Sequence, residues 1–180
     1  ALTFDYGQRH RIEIQAAKKV AELAGVDHKI IEIPNVLSSE SPLLLQTKNL
    51  QEYANFDQMV QEVGNDIEDT FVPMRNLLFL TIAANRAIKL RCDHIGLGVC
   101  EADTANYPDC TQDFLSSAFA TTNISLGVKG TVAKLKQYAP LIGINKAESA
   151  RIAHEMEDCW EALAYTHTCY DGLYPPTGNN

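Results

Sequence analysis

Apolar and polar positions along the chain predict strands that alternate with helices. The β-prone apolar runs with the length of strands are 1–4, 28–33 and 93–97, and the segment 132–141 is either a strand or an extended approach. Apolar residues recur at helical spacing in the segments 12–23, 75–88 and 111–126. Strands that alternate with helices favour an α/β fold built on a parallel sheet.

The helix predicted from residue 75 onward is apolar nearly all round, which predicts burial between layers of the fold. Arg75 and Asn76 lie in its first turn. An arginine held inside a fold must pair with an acid or with the phosphate or carboxylate of a ligand. An ion pair with Asp69 and a contact with a ligand are therefore equal alternatives for Arg75.

The segment 98–110 follows one of the predicted strands and carries several polar side chains, namely Glu101, Asp103, Tyr107 and Asp109. In open α/β sheets, ligands bind beyond the carboxyl ends of the strands, so this segment is a candidate ligand-binding loop. The alternative is an ordinary connection, in which Asp109 is the N-cap of the next helix and Gln112 completes a capping box. Spacing alone favours neither.

Between 35 and 69 the periodicity weakens, and we expect a mobile excursion with one helix near 50–63 inside a single domain of 1–180. Further along, Asn145 and Glu148 have the spacing of a helix start. Lys146 is then exposed in the first turn. It is either a surface lysine or a cation that faces a site above the sheet.

Composition narrows the class of protein. The 15 Lys and Arg residues against 23 Asp and Glu give a net charge of −8, which argues against a dedicated nucleic-acid surface. The five cysteines are odd in number and form no C-x-x-C pair, so a disulfide framework is not expected. No stretch has the ~20 apolar residues of a membrane span. We expect a cytoplasmic protein.

Five ordered sequence blocks resemble one family. They are TFDYGQRH at 3–10, TFVPMRNLLFL at 70–80, GVCEADTANYPDC at 98–110, NKAE at 145–148 and TCYDG at 168–172. Together they resemble the 7-cyano-7-deazaguanine synthases of the queuosine pathway. The resemblance implies the adenine-nucleotide α-hydrolase fold, a parallel sheet with helices on both faces, which is incomplete in the sequence given.

The resemblance implies an ATP-dependent ligase that converts 7-carboxy-7-deazaguanine and ammonia to 7-cyano-7-deazaguanine. A carboxylate has no leaving group, so ATP activates it as an acyl-adenylate, ammonia gives the amide, and a second activation removes water. Such an enzyme holds two anions together and needs cations and oriented donors. The implied cofactors are ATP with Mg²⁺, and Zn²⁺. The implied partners are small molecules, with no direct nucleic-acid or membrane contact, and a homodimer is left open.

The resemblance also assigns roles to the matched positions. Three residues would be catalytic: Arg75, Asn76 and Lys146. The deazapurine would be bound by Glu101, Asp103, Tyr107 and Asp109. The nucleotide would be bound by Phe4, Gln8, Arg9 and His10. Cys169 would be the first of four zinc-ligand cysteines.

The sequence departs from the family pattern at three places. The SGGxDS phosphate loop and the CGxCxxC run of the family are absent from these 180 residues, and Met74 stands where a small residue is expected. Cys169 alone cannot complete a tetrahedral zinc site. We therefore expect a part of a longer chain, with little activity in isolation. The alternatives are another ATP-activating amidating or thiolating enzyme of this fold, or a non-catalytic deazapurine-binding remnant.

Overall fold

The computed structural model describes residues 1–45, 47–48, 56–64, 66–128 and 134–167. The chain divides into two compact units. The first comprises residues 1–52 and 150–180, and the second comprises residues 53–149.

The first unit is built on two parallel strands. Strand β1 (Leu2–Asp5) pairs with β2 (Lys29–Glu32), so that Phe4 lies opposite Ile31. Helix α1 (Ile12–Leu23) connects them and buries Ile14 and Ala21. Gly25 follows α1 with φ +62°, a left-handed conformation that glycine adopts without strain. The parallel pairing places the ends of β1 and β2 at the same edge.

The second unit contains the other pair of parallel strands. In chain order its elements are α2 (Phe56–Val63), α3 (Arg75–Leu90), β3 (His94–Gly96), α4 (Glu101–Asn106), a 3₁₀ turn (Pro108–Cys110), α5 (Gln112–Ser125), β4 (Lys136–Tyr138) and the start of α6 (Lys146–Glu155). Strand β3 pairs with β4, and Ile95 lies opposite Gln137. A further helix, α7 (Cys159–Leu163), belongs to the first unit.

The core of the second unit forms where α3 packs against α5 and β3, and where α5 packs against β4. Its buried side chains include Leu80 of α3, Ile95 of β3, and Leu115 and Phe119 of α5, together with Leu135 just before β4. Leu115 and Leu135 are 1% and 0% exposed. Burying a side chain of this size contributes about 1.5–3 kcal/mol. The core therefore fixes where α3 begins and where the segment after β3 leaves the sheet.

One buried amide joins α5 to the start of β4. The Nδ2 group of Asn123 donates to the carbonyl oxygens of Phe119 and Leu135, both at 2.9 Å. Its Oδ1 atom accepts from the backbone N–H groups of Lys134 at 2.9 Å and Leu135 at 3.0 Å. The side chain is thus fully hydrogen-bonded inside the core, as a buried polar group must be.

The strands, α1, α5 and the helix start at Asn145 confirm the secondary structure predicted from the sequence, and α2 is the described part of the helix expected near 50–63. The mobile excursion at 35–69 and the single domain stay predictions. Residues 46, 49–55 and 65 of that excursion lie outside the described residues.

The prediction that α3 is buried nearly all round was wrong. Leu80, Ala84 and Ala87 are buried along one face, whereas Thr81, Asn85 and Lys89 are exposed. The polar residues of α3 recur every four positions, so they lie together on the side opposite the core. The helix is amphipathic, and its first turn is half-buried at Arg75 and Asn76.

Met74 precedes α3 with φ +65° and ψ −1°. This left-handed conformation costs a residue with a Cβ atom roughly 1 kcal/mol. The side chain is 62% exposed, so packing does not compensate for this cost. We expect Met74→Gly to raise the free energy of unfolding by about 0.5–1 kcal/mol, measured by urea denaturation.

Met74→Ala is the matched control because it removes the long side chain and keeps the Cβ atom. It should leave the free energy of unfolding near that of the wild type. Equal stabilisation by alanine and glycine would contradict the account, since it would place the cost in the thioether side chain and not in the backbone.

Candidate active site

The end of β1 is held by a set of internal hydrogen bonds. Gln8 is buried, its Oε1 atom accepts from the N–H of Tyr6 at 3.0 Å, and its Nε2 group donates to the carbonyl of Phe4 at 3.3 Å. The buried carboxylate of Asp5 pairs with the guanidinium of Arg11 and accepts from the N–H of Gly7. These contacts fix the turn that follows the strand.

A cavity of about 550 Å³ lies beyond the carboxyl ends of β1 and β2. It is lined by Tyr6, Gly7, Asn35, Leu37, Ser38, Ser39, Glu40, Leu44 and Leu45. Volumes of this size are typical of small-molecule sites, and this edge of a parallel sheet is where ligands bind in open α/β folds. The polar residues of this wall were not predicted from the sequence. The signal was available, because Asn and Ser residues directly follow the second strand.

The predicted nucleotide-binding residues lie in the same unit as this cavity. Arg9 donates from its guanidinium to the carbonyl of Lys48 at 3.0 Å, and its N–H donates to the carbonyl of Leu43 at 2.8 Å. Phe4 and His10 are half-buried. Arg9 therefore connects the turn after β1 to the segment that contains one wall of the cavity.

In the second unit, Asn76 and Asp109 bring the start of α3 against the 3₁₀ turn. The backbone N–H of Asn76 donates to Oδ2 of Asp109 at 3.3 Å. The side-chain amide of Asn76 donates to the carbonyl of Asp109 at 3.3 Å and to Sγ of Cys110 at 3.4 Å. Two of the residues selected from the sequence are thus in direct contact.

The alternative in which Asp109 caps the next helix was wrong. The N-cap of α5 is Thr111, whose hydroxyl accepts from the N–H of Phe114 at 3.2 Å. The carboxylate of Asp109 is directed to α3 instead. Threonine is itself a favoured N-cap, and it lies directly before the first residue of α5.

Burial, together with the neighbouring charges, shifts the pKa values of two groups at this contact. Burial raises the pKa of Asp109 above its usual value, and the N–H of Asn76 and the charge of Arg75 oppose that rise. Burial, followed by the charges of Asp109 and Asp103, raises the pKa of the Cys110 thiol to about 12. Cys110 is therefore a neutral thiol at physiological pH and not a nucleophile.

The raised pKa of Asp109 has a consequence for stability. Since the folded state binds the proton more tightly than the unfolded state, stability contributed by this group is present at low pH and is lost as the pH rises through the folded pKa. We expect the wild type to gain stability relative to Asp109→Asn as the pH falls from 7 towards 4, in urea denaturation at each pH.

Asp113→Asn is the control for this pH series because it removes the same charge from an exposed position of α5. It corrects the comparison for the change in net charge. A stability difference between the wild type and Asp109→Asn that stays constant across the series would contradict the prediction.

Helix α4 directs Asp103 to its own N-terminus and leaves the side chain of Glu101 exposed. Cys100 is the N-cap, and its N–H donates to Oδ2 of Asp103 at 2.9 Å, so Asp103 closes a capping box. The backbone N–H of Glu101 donates to the carbonyl of Ile144 at 3.2 Å. The side chain of Glu101 is exposed. Within the part of the chain that the structure describes, its carboxylate has no partner.

Tyr107 lies against the segment that precedes α3. Its hydroxyl shares a hydrogen bond with Oγ1 of Thr70, and its ring centroid is 6.4 Å from that of Phe71. The neighbouring Asn106 is buried and donates to the carbonyl oxygens of Gly64 at 3.2 Å and Asp66 at 2.8 Å. Both residues fasten the end of α4 to that segment.

Lys146 is exposed at the start of α6, as the sequence predicts. The side chain of Asn145 accepts from the N–H of Glu148 at 2.8 Å, which confirms Asn145 as the helix cap. The backbone bond between Glu101 and Ile144 places the chain just before this cap beside the start of α4. The first turns of α4 and α6 are therefore neighbours in the second unit.

Cys169 lies outside the described residues, so the structure gives no information on its surroundings. Among the residues that are described, no group of three His, Cys, Asp or Glu side chains could hold a metal ion. None of the described helices is long and apolar enough to cross a membrane.

Comparison with known proteins decides the family. The family model described as "Queuosine biosynthesis protein QueC" matches residues 1–178. The chain belongs to this family. Its adenine-nucleotide α-hydrolase-like fold confirms the predicted α/β class, and the two pairs of parallel strands with their helices agree with it.

Individual relatives support the same assignment. The 7-cyano-7-deazaguanine synthase of Gloeobacter violaceus is 39% identical over 176 residues, which cover 96% of this chain and 72% of that protein. The synthase of Laribacter hongkongensis is 38% identical over 182 residues, covering 99% and 72%. That of Staphylococcus aureus is 35% identical over 172 residues, covering 96% and 71%.

Proposed function

We propose that the protein uses ATP to convert 7-carboxy-7-deazaguanine and ammonia to 7-cyano-7-deazaguanine. The observation that carries this proposal is similarity along almost the whole chain: relatives named 7-cyano-7-deazaguanine synthase match 96–99% of it. The geometry of both units is consistent with the proposal, because each presents polar groups where a parallel α/β fold binds its ligands.

Arg75 and Asn76 are our candidates for the groups that meet negative charge. Both lie in the first turn of α3, where the helix dipole favours an anion. The planar guanidinium of Arg75 suits the two oxygens of a carboxylate or phosphate. The amide of Asn76 donates to the 3₁₀ turn, so we assign Asn76 the support of that turn. We assign the direct contact to Arg75 because of the geometry of its guanidinium.

The base of the substrate would be read by the segment 98–110. Glu101 is the residue with the most accessible carboxylate there, and it would accept hydrogen bonds from a ring N–H and the exocyclic amino group. Asp103 and Tyr107 are also proposed for this site. Their contacts with Cys100 and Thr70 hold α4 in the position from which Glu101 reaches the base.

The nucleotide would lie at the carboxyl edge of β1 and β2. The cavity there offers hydroxyl and amide groups from Ser38, Ser39 and Asn35, which suit the ribose and base of ATP. The residues proposed to form this edge are Phe4, Gln8, Arg9 and His10. Of these, Arg9 has the side chain best suited to bind a phosphate group. Mg²⁺ would accompany the ATP phosphates, as it does for hard oxygen ligands.

The chemistry proceeds in two activations. ATP transfers an adenylyl group to the carboxylate and releases pyrophosphate, and ammonia then displaces AMP to form the amide. A second ATP adenylates the amide oxygen, again with release of pyrophosphate, and departure of AMP with loss of the nitrogen-bound protons leaves the nitrile. Negative charge develops on the acyl oxygen of the substrate when ammonia adds to the acyl carbon, and Arg75 and Lys146 would stabilise that charge. Zn²⁺ would be held through Cys169, which is one of the four ligands that a tetrahedral site needs.

The test is to incubate the protein, expressed from its complete reading frame, with ATP, ammonia and 7-carboxy-7-deazaguanine, and to follow the nitrile by mass spectrometry. We expect ATP consumption that depends on the carboxylate and yields the nitrile. Absence of ATP turnover with all three substrates present would overturn the proposal.

The same assay separates the alternatives. A different amidating or thiolating enzyme would consume ATP with another acceptor, such as a tRNA, and leave the carboxylate unchanged. A non-catalytic module would bind the deazapurine in calorimetry without ATP and would release no product. When the amide is supplied in place of the carboxylate, the proposed enzyme should consume ATP only for the second activation and should still yield the nitrile.

A further inference from the structure

Helix α3 begins without a capping side chain of its own. Met74 occupies the N-cap position, provides no hydrogen bond from its side chain, and is followed by a first turn with no acidic residue. The first N–H groups of a helix have no partner within the helix and must be satisfied from elsewhere. Those of α3 are next to Arg75, the residue proposed to meet the substrate anion.

The missing cap comes from a residue 33 positions further along the chain. Oδ2 of Asp109 accepts the N–H of Asn76, the second residue of α3, and the side chain of Asn76 donates back to the carbonyl of Asp109. The two residues exchange hydrogen bonds in the reciprocal manner of a capping box, although they belong to different elements.

Asp109 and Glu101 belong to the same segment but differ in their surroundings. Asp109 is only 8% exposed, whereas Glu101 is on the surface. When ionised, Asp109 carries its negative charge at the positive end of α3, and the charge of Arg75 opposes the rise in its pKa that burial causes. Its carboxylate is therefore directed at the helix that carries Arg75.

We propose that Asp109 is a positioning residue, which caps α3 from the 3₁₀ turn and thereby fixes Arg75 for its contact with the substrate anion. This role replaces direct binding of the substrate by Asp109 and rests on the proposed function of Arg75. The contact between Asp109 and Asn76 then positions two elements at once: α3, which carries Arg75, and the segment 98–110, which carries Glu101.

A double-mutant cycle tests the route through Arg75. Asp109→Ala removes the oxygen that accepts the N–H of Asn76, and we expect about a tenfold loss of kcat/KM for nitrile formation. In the Arg75→Lys background the same substitution should have almost no further effect, because the geometry that it disturbs is already lost. Additive losses would overturn the proposal.

Asp113→Asn is the matched control for the kinetic cycle, since it removes an exposed carboxylate from the first turn of α5. It should leave kcat/KM within about twofold of the wild type, as expected for a surface substitution. If Asp109→Ala raised only the KM for the deazapurine, left kcat unchanged and had the same effect in the Arg75→Lys background, Asp109 would be a substrate ligand and the proposal would be wrong.

Hydrogen exchange tests the cap without any need for activity. Asp109→Ala should accelerate exchange of the amide of Asn76 about fivefold or more, as expected for loss of an N-cap, while the centre of α3 stays protected. Unchanged exchange would overturn the cap even if the enzyme makes the nitrile. Conversely, accelerated exchange in a protein that makes no nitrile would leave the cap in place and refute the proposed function.

Discussion

Arg75→Ala should lower kcat/KM for nitrile formation by about a hundredfold to a thousandfold, as expected when a donor aimed at developing charge is removed. The guanidinium lies in the half-buried first turn of α3, where water replaces it poorly. The loss should fall mainly on kcat, because the negative charge on the reacting acyl oxygen grows in the transition state. Steady-state kinetics with ATP and the carboxylate measure it.

Two further variants define the cause of that loss. Arg75→Lys keeps the charge and removes the planar pair of donors, so it should recover only part of the activity. Lys89→Ala removes a cation from the exposed side of the same helix and should leave the rate within about twofold of the wild type. Full activity of Arg75→Ala would refute its assignment to the reacting anion.

Glu101→Gln should raise the KM for 7-carboxy-7-deazaguanine by about tenfold to a hundredfold, as expected for a lost hydrogen bond to a charged group. The glutamine has a similar shape, but its amide presents two N–H donors to a base edge that also donates. Folding should be little affected, since the carboxylate is exposed and has no partner among the described residues. Substrate titrations at saturating ATP measure the change.

Asp113→Asn again serves as the comparison, because it too removes an exposed acid from the first turn of a helix. It should leave the KM for the deazapurine unchanged. If Glu101→Gln lowered the affinity for ATP and not for the deazapurine, the assignment of the segment 98–110 to the base would be wrong.

Local patterns in the sequence were sufficient for elements that are stabilised by their own neighbours. The cap at Asn145 and the glycine after α1 follow from rules that span a few residues, and both are present. The strands were predictable for the same reason. Their apolar runs have the length of strands, and turn residues bound them.

The prediction for Asp109 failed because capping rules consider only the nearest helix in sequence. Its partner, Asn76, is 33 residues away, and only tertiary packing brings the two together. The walls of the cavity in the first unit were missed for a related reason: single Ser and Asn residues are common in loops, and their function depends on the strand ends beside them. The roles of the site residues came from resemblance and not from periodicity.

The hydrogen bonds of Asn123 restrict which residues can replace it during evolution. Its amide donates twice and accepts twice within the core, between α5 and the start of β4. Aspartate has no donor for the two carbonyl oxygens, leucine satisfies none of the four groups, and glutamine is longer by one methylene. We therefore expect Asn123 to be replaced only when the segment 134–135 changes as well. Relatives with changes at both places should differ in how the start of β4 is bonded to α5.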